Sequence, residues 1–108
     1  MVFHGENNMK RHKIEIPEDK LSGFCMRHHI QKLSFFGSFL RDDFKSSSDI
    51  DVLVEFEAGH IPGLAFFAMQ EELSEIIGHK VDLNTPQFLS RYFREKVIDE
   101  AQVLYVAA

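Results

Sequence analysis

Two short apolar runs, Leu33-Ser34-Phe35-Phe36 and Ile50 to Phe56, are joined by a segment that opens with Gly37-Ser38 and closes, ten residues later, on Asp49-Ile50-Asp51. Both runs read as buried strands. The chain must therefore bring a strand that ends in glycine beside a strand that begins with two carboxylates. Side chains alternate along a strand with period two, so Asp49 and Asp51 share one face while Ile50 and Val52 point into the core.

The residue types suit one kind of chemistry. Glycine at a strand end lets backbone N–H groups approach an anion, and Ser38 is placed to cap a short helix expected over Phe39 to Phe44, whose N-terminus would attract phosphate. Two carboxylates about 4 Å apart repel by roughly 4 kcal/mol at an effective dielectric near 20, which calls for a cation between them. Magnesium fits, because it is commonly held by one or two carboxylates plus substrate phosphates, and a pair of such ions can stabilise both oxygens of an in-line displacement at phosphorus. Either half of the motif alone is commonplace, a turn or a solvated strand face. From average residue usage the combination should arise by chance in about one chain in a thousand of this length.

Phe36-Gly37-Ser38-Phe39-Leu40-Arg41 followed by Ser48-Asp49-Ile50-Asp51-Val52-Leu53-Val54 resembles the signature of the minimal nucleotidyltransferase (MNT) family, within the DNA polymerase β-like superfamily. The family places a third carboxylate on the next strand, and Lys80-Val81-Asp82-Leu83-Asn84 supplies Asp82; with its flanks the resemblance covers residues 30 to 104. It implies that Gly37 and Ser38, with Arg41 and Ser48, hold a nucleoside triphosphate, that Asp49 and Asp51 bind two magnesium ions, and that Asp82 ligates one ion and accepts the proton of an attacking hydroxyl. Asp82 could instead simply end a strand before the Asn84-Thr85-Pro86 turn, and Arg41 could pair with Asp42, Asp43 or Glu55. The chain departs from the family in having Asp42 where glycine is usual after that arginine. Asp42 and Asp43 pointing inward would weaken nucleotide binding, which Lys45 and Ser46-Ser47-Ser48 could offset as a loop over the phosphates.

With 108 residues, 44% apolar and 27% charged, the chain has room for one core and no separate substrate domain, so the acceptor is expected on a partner. A net charge of −5 argues against stable nucleic-acid binding. The single cysteine, Cys25, fits a reducing cytoplasm, and neither a membrane span nor a signal peptide is evident. The six histidines lack ligand spacing and read as surface or helix-end residues.

The expected architecture is α/β (α+β), a small mixed β-sheet with helices packed on it in the nucleotidyltransferase fold. Residues 1–12 are expected to be disordered, with Met9 a possible true start, and residues 13–108 to form a single minimal nucleotidyltransferase domain. Helices are expected from Pro17 to His29, from Leu64 to Ile77 with Gly78 as C-cap, and from Gln87 to Gln102 with Leu89, Phe93, Val97 and Ala101 as its apolar stripe. Leu64 and Phe67 read either as the edge of a wide apolar face or as a docking patch. Val103-Leu104-Tyr105-Val106 either continues the last helix or adds an edge strand.

Small stand-alone MNT proteins resemble the antitoxin halves of pairs whose toxin is a HEPN-domain RNase, and family members transfer AMP from ATP to a tyrosine of that toxin. The resemblance therefore implies magnesium and ATP, a HEPN toxin partner encoded nearby, and a homo-oligomer or hetero-oligomer. Two alternatives stay open: a binding module that neutralises its partner without chemistry, and a small-molecule nucleotidyltransferase. The second is disfavoured by the lack of a domain to shape an acceptor pocket.

Overall fold

The computed structural model describes residues 9–108. A four-stranded mixed sheet has the order β5-β4-β3-β6, where β3 is Ile30–Phe36, β4 Ile50–Phe56, β5 Val81–Asn84 and β6 Gln102–Val106. Strand β4 runs antiparallel to β3 and parallel to β5, and β6 runs antiparallel to β3. The parallel pair needs a crossover, which is the helix α2, Ala65–Ile77. Leu33 and Phe35 of β3 and Ile50, Val52 and Val54 of β4 are buried with Leu21, Phe24 and Cys25 of α1 (Glu18–Arg27) and with Phe66, Met69, Leu73 and Ile77 of α2. The fold is thus the expected mixed α/β sheet with helices on it.

The stripe on α2 is as the sequence predicts, and Gly78 closes the helix in the left-handed conformation with its N–H donating to Ser74 O. Burial drives the Cys25 thiol pKa up to about 12, so it is an inert core group.

Four expectations need correction. Met9–Arg11, expected to be disordered, form β1, paired antiparallel with β2, Ile14–Ile16; residues 1–8 lie outside the described residues. The hairpin turns on His12 and Lys13, both with positive φ, a conformation costly without glycine, and Arg11 and His12 tie it down. The expected helix over Phe39 to Phe44 is a single 3-10 turn, Gly37–Leu40, and Ser38 does not cap it. Gly37 takes φ of 70° and Arg41 is already extended, so the chain has no room for further turns.

The expected helix from Gln87 to Gln102 is a 3-10 turn at Pro86–Phe88 and a short α3, Arg94–Glu100, with no buried residue in either. Ala101 is extended, and from there the tail becomes the edge strand β6, burying Leu104 and Tyr105 against β3. Sheet pairing there outweighs the helical spacing of Leu89, Phe93, Val97 and Ala101.

Candidate active site

Strand pairing gathers the predicted carboxylates. Phe36, the last residue of β3, lies opposite Asp51, and Asp51 lies in register with Asp82 on the neighbouring parallel strand. In-register neighbours project on the same face about 4.8 Å apart. Asp49, two residues before Asp51, falls on that face as well. Asp51 is half-buried and Asp82 is exposed at the rim.

Gly37 sits directly against this cluster. A β-carbon there would collide with the Asp51 carboxylate oxygen Oδ2 and come within 3.3 Å of its Cγ. With φ at 70°, the position is closed to other residues on two counts, backbone conformation and space. The glycine is therefore what lets the turn after β3 and the first carboxylate strand occupy adjoining volume.

The electrostatics follow from the crowding. Burial, then Asp82, then Asp49 raise the Asp51 pKa from 3.8 to about 6, against a lowering by Arg41. Folding thus concentrates negative charge that protons or cations would relieve. Lys80 Nζ stands 3.8 Å from Asp49 Oδ2, a largely exposed pair that offsets little of it. Among the described residues, no three His, Cys, Asp or Glu side chains converge into a ready-made metal cage. Magnesium does not need one, since substrate phosphates complete its oxygen shell. The hard oxygen donors of Asp49, Asp51 and Asp82, and the space that only glycine leaves beside them, fit such an ion.

The remaining predicted residues separate. Ser38 follows Gly37 in the 3-10 turn. Arg41 is exposed, with Nε donating to Asp43 Oδ1 at 3.2 Å, one of the pairings open to it from sequence. Ser48 is engaged in its own turn: its N–H donates to Lys45 O at 2.9 Å, and its hydroxyl accepts from Lys45 N–H at 3.1 Å. Asp42 is exposed.

Several supports escaped the sequence. Arg11 donates through Nε to Phe39 O and through a terminal nitrogen to Leu40 O, both at 2.6 Å, and His12 Nε2 donates to Phe39 O at 3.0 Å. The hairpin thereby holds the turn that begins at Gly37. His79 Nε2 donates to Ser48 O at 2.6 Å, steadying the approach to Asp49. Gln70 Oε1 accepts from Leu83 N–H at 2.9 Å and Ser74 Oγ from Val81 N–H at 3.0 Å, so α2 grips the β5 backbone on both sides of Asp82. The only signal for that pair was a Gln and a Ser four apart beside the apolar stripe of a helix preceding an edge strand.

At the far end of β4 lies a cavity of about 530 Å³ lined by Val54, Phe56, Phe66, Pro86 and Phe88 among others. Leu64 and Phe67 beside it are 86% and 68% exposed, which excludes them from the core.

A glycine turn packed on a strand carboxylate, with a partner carboxylate in register, is an arrangement suited to nucleotidyl transfer. The comparisons agree. The nucleotidyltransferase domain family matches residues 18–104, and the chain belongs to that family. It is 33% identical to the protein adenylyltransferase MntA of Thermococcus cleftensis over 102 residues, 94% of this chain and 91% of that one. Among solved structures, one described as a "putative minimal nucleotidyltransferase" is 31% identical with a TM-score of 0.65, over 78% of this chain and 85% of that one. The MNT antitoxin in complex with a tri-AMPylated Shewanella oneidensis HEPN toxin shares the fold, with a TM-score of 0.60 and 22% identity over 83% of this chain and 70% of that chain. The protein is a nucleotidyltransferase. No helix among the described residues is long and apolar enough to cross a membrane.

Proposed function

We propose that this chain is a magnesium-dependent protein adenylyltransferase that transfers AMP from ATP to a hydroxyl of a HEPN-domain toxin, acting as that toxin's antitoxin in the cytoplasm. The observation that carries the chemistry is the register of Asp51 with Asp82 beside a Gly37 that admits no β-carbon. The nature of the acceptor is supported by the relatives, a protein adenylyltransferase and an MNT antitoxin bound to an AMPylated HEPN toxin.

In this mechanism Gly37 and Ser38 would cradle the triphosphate, and Asp49, Asp51 and Asp82 would hold two magnesium ions. Such ions would supply neutralisation of the phosphate charge and of the charge on the departing oxygen. Asp82, exposed at the rim where a partner can reach it, takes the proton of the acceptor hydroxyl. The hydroxyl oxygen forms a bond to the α-phosphorus, the bond from that phosphorus to the bridging oxygen breaks, and pyrophosphate leaves. Asp51, half-buried and crowded by like charge, gains most from the cation and so couples ion binding to the geometry of the turn.

Asp49→Asn combined with Asp51→Asn should abolish transfer of label from α-labelled ATP to a co-expressed HEPN partner and abolish neutralisation. Undiminished neutralisation with transfer lost would favour the binding-module alternative.

A further inference from the structure

The 108-residue chain carries a net charge of −5, yet one concave site on it has no carboxylate in its lining among the described residues. This cavity, of about 340 Å³, lies between the β1–β2 hairpin turn and the loop that leads from the Gly37 turn to Asp49. The hairpin contributes His12 and Lys13, the loop contributes Lys45 and Ser46, and His79 lies alongside them. The hairpin wall lies outside residues 18–104, the part matched by the family.

The site is built rather than a chance meeting of surface lysines. Both imidazoles are fixed through Nε2, His12 on Phe39 O at 3.0 Å and His79 on Ser48 O at 2.6 Å. The Phe44 ring packs against both, with centroids 4.8 Å from His12 and 5.4 Å from His79. Lys13 stands on a turn whose backbone is held in the left-handed region, while Lys45 stands across the cavity on the loop.

Two cations on opposite walls suit an anion whose charge is spread over two phosphoryl groups. The volume is at the low end of small-ligand cavities, about 300–1,000 Å³, which fits a small anion. One wall is the loop that leads from the Gly37 turn to Asp49, so the cavity adjoins the segment that carries the proposed site. We propose that the cavity binds free pyrophosphate, the product of nucleotidyl transfer. This rests on the proposed reaction for the origin of the ligand, whereas binding itself does not require the reaction to occur.

Calorimetric titration of the full chain with sodium pyrophosphate, with EDTA and no nucleotide present, at about 150 mM salt to screen diffuse attraction, tests this. The expected result is saturable one-site binding, weakened about tenfold or more by Lys13→Glu and by Lys45→Glu, since each places a like charge against the ligand. Lys13→Gln and Lys45→Gln should weaken it less, in the same direction and with unchanged melting temperature. Ser38→Ala, which removes only a hydroxyl and keeps the backbone of the turn that His12 contacts, should leave it within about twofold. Absence of saturable binding in the unmodified chain, indifference to both lysine substitutions, or loss of binding in Ser38→Ala would each overturn the proposal. Label transfer to the HEPN partner is measured separately, so failure here and failure of the proposed reaction are told apart.

Discussion

Strand β4 has two unlike ends. At its start, Asp49 and Asp51 crowd against Asp82 and the Gly37 turn, with Asp51 held out of its ordinary ionisation range by burial and neighbouring charge. At its finish, Val54 and Phe56 open onto an apolar cleft with Phe66 and Phe88. The first end stores unfavourable electrostatics and has little freedom to vary. The second stores exposed apolar surface, with Leu64 and Phe67 next to it. Folding energy gained at the apolar end and through the core sustains the charged end, a division seen wherever a rigid frame holds a site that opposes its own stability.

Five substitutions break or sharpen this contrast. The largest effect belongs to the apolar end: Phe66→Ala removes a ring that is 8% exposed, and chemical denaturation should show a loss of about 3 kcal/mol. Label transfer, measured below the unfolding transition, should be affected far less than stability. Gly37→Ala should do the reverse, cutting transfer by about 100-fold or more through displacement of the Asp51 carboxylate. Steady-state kinetics with α-labelled ATP would measure it; a variant with full activity would mean the turn and carboxylate need no close approach.

Asp51→Asn has an unusual sign. The folded protein binds this proton more tightly than the unfolded chain, so between pH 3.8 and about 6 stability falls as pH rises, and the whole penalty is present above that window. After discounting for the solvent that screens a half-buried group, Asp51→Asn should stabilise the magnesium-free protein by about 1 kcal/mol at pH 8 while destroying transfer. Melting curves at pH 4 and pH 8 in EDTA check this, and a variant less stable than the parent at pH 8 would contradict it. Smallest is the change at the exposed rim of the cleft: Leu64→Ser or Phe67→Ser should leave stability within about 0.5 kcal/mol by thermal denaturation.

What could be foreseen follows the same division. The strands flanking Gly37 and Asp51, the α2 stripe and the Asp82 strand were legible because apolar period and motif spacing agreed at each of them. Asp82 joins Asp51 through strand register, which alternation does not express: alternation gives its face, and its place beside Asp51 came from the family resemblance. The hairpin was not legible, since His12 and Lys13 carry no turn signature and depend on Arg11 reaching carbonyls 28 and 29 residues away. The last helix was misjudged because Leu89, Phe93, Val97 and Ala101 keep helical spacing through a segment whose tail gains more by pairing with β3. Ser48 carries a motif position, yet its hydroxyl serves a local turn that the motif alone does not reveal.

The two hydrogen bonds from Gln70 and Ser74 to the β5 backbone give α2 an office beyond packing. They make the helix a caliper, setting how far along its neighbour the third carboxylate stands. Gln70 lies six residues from Leu64 and three from Phe67, on the same short rod. A substitution of Gln70 or Ser74 would therefore act on the strand that carries Asp82 without touching the acid itself.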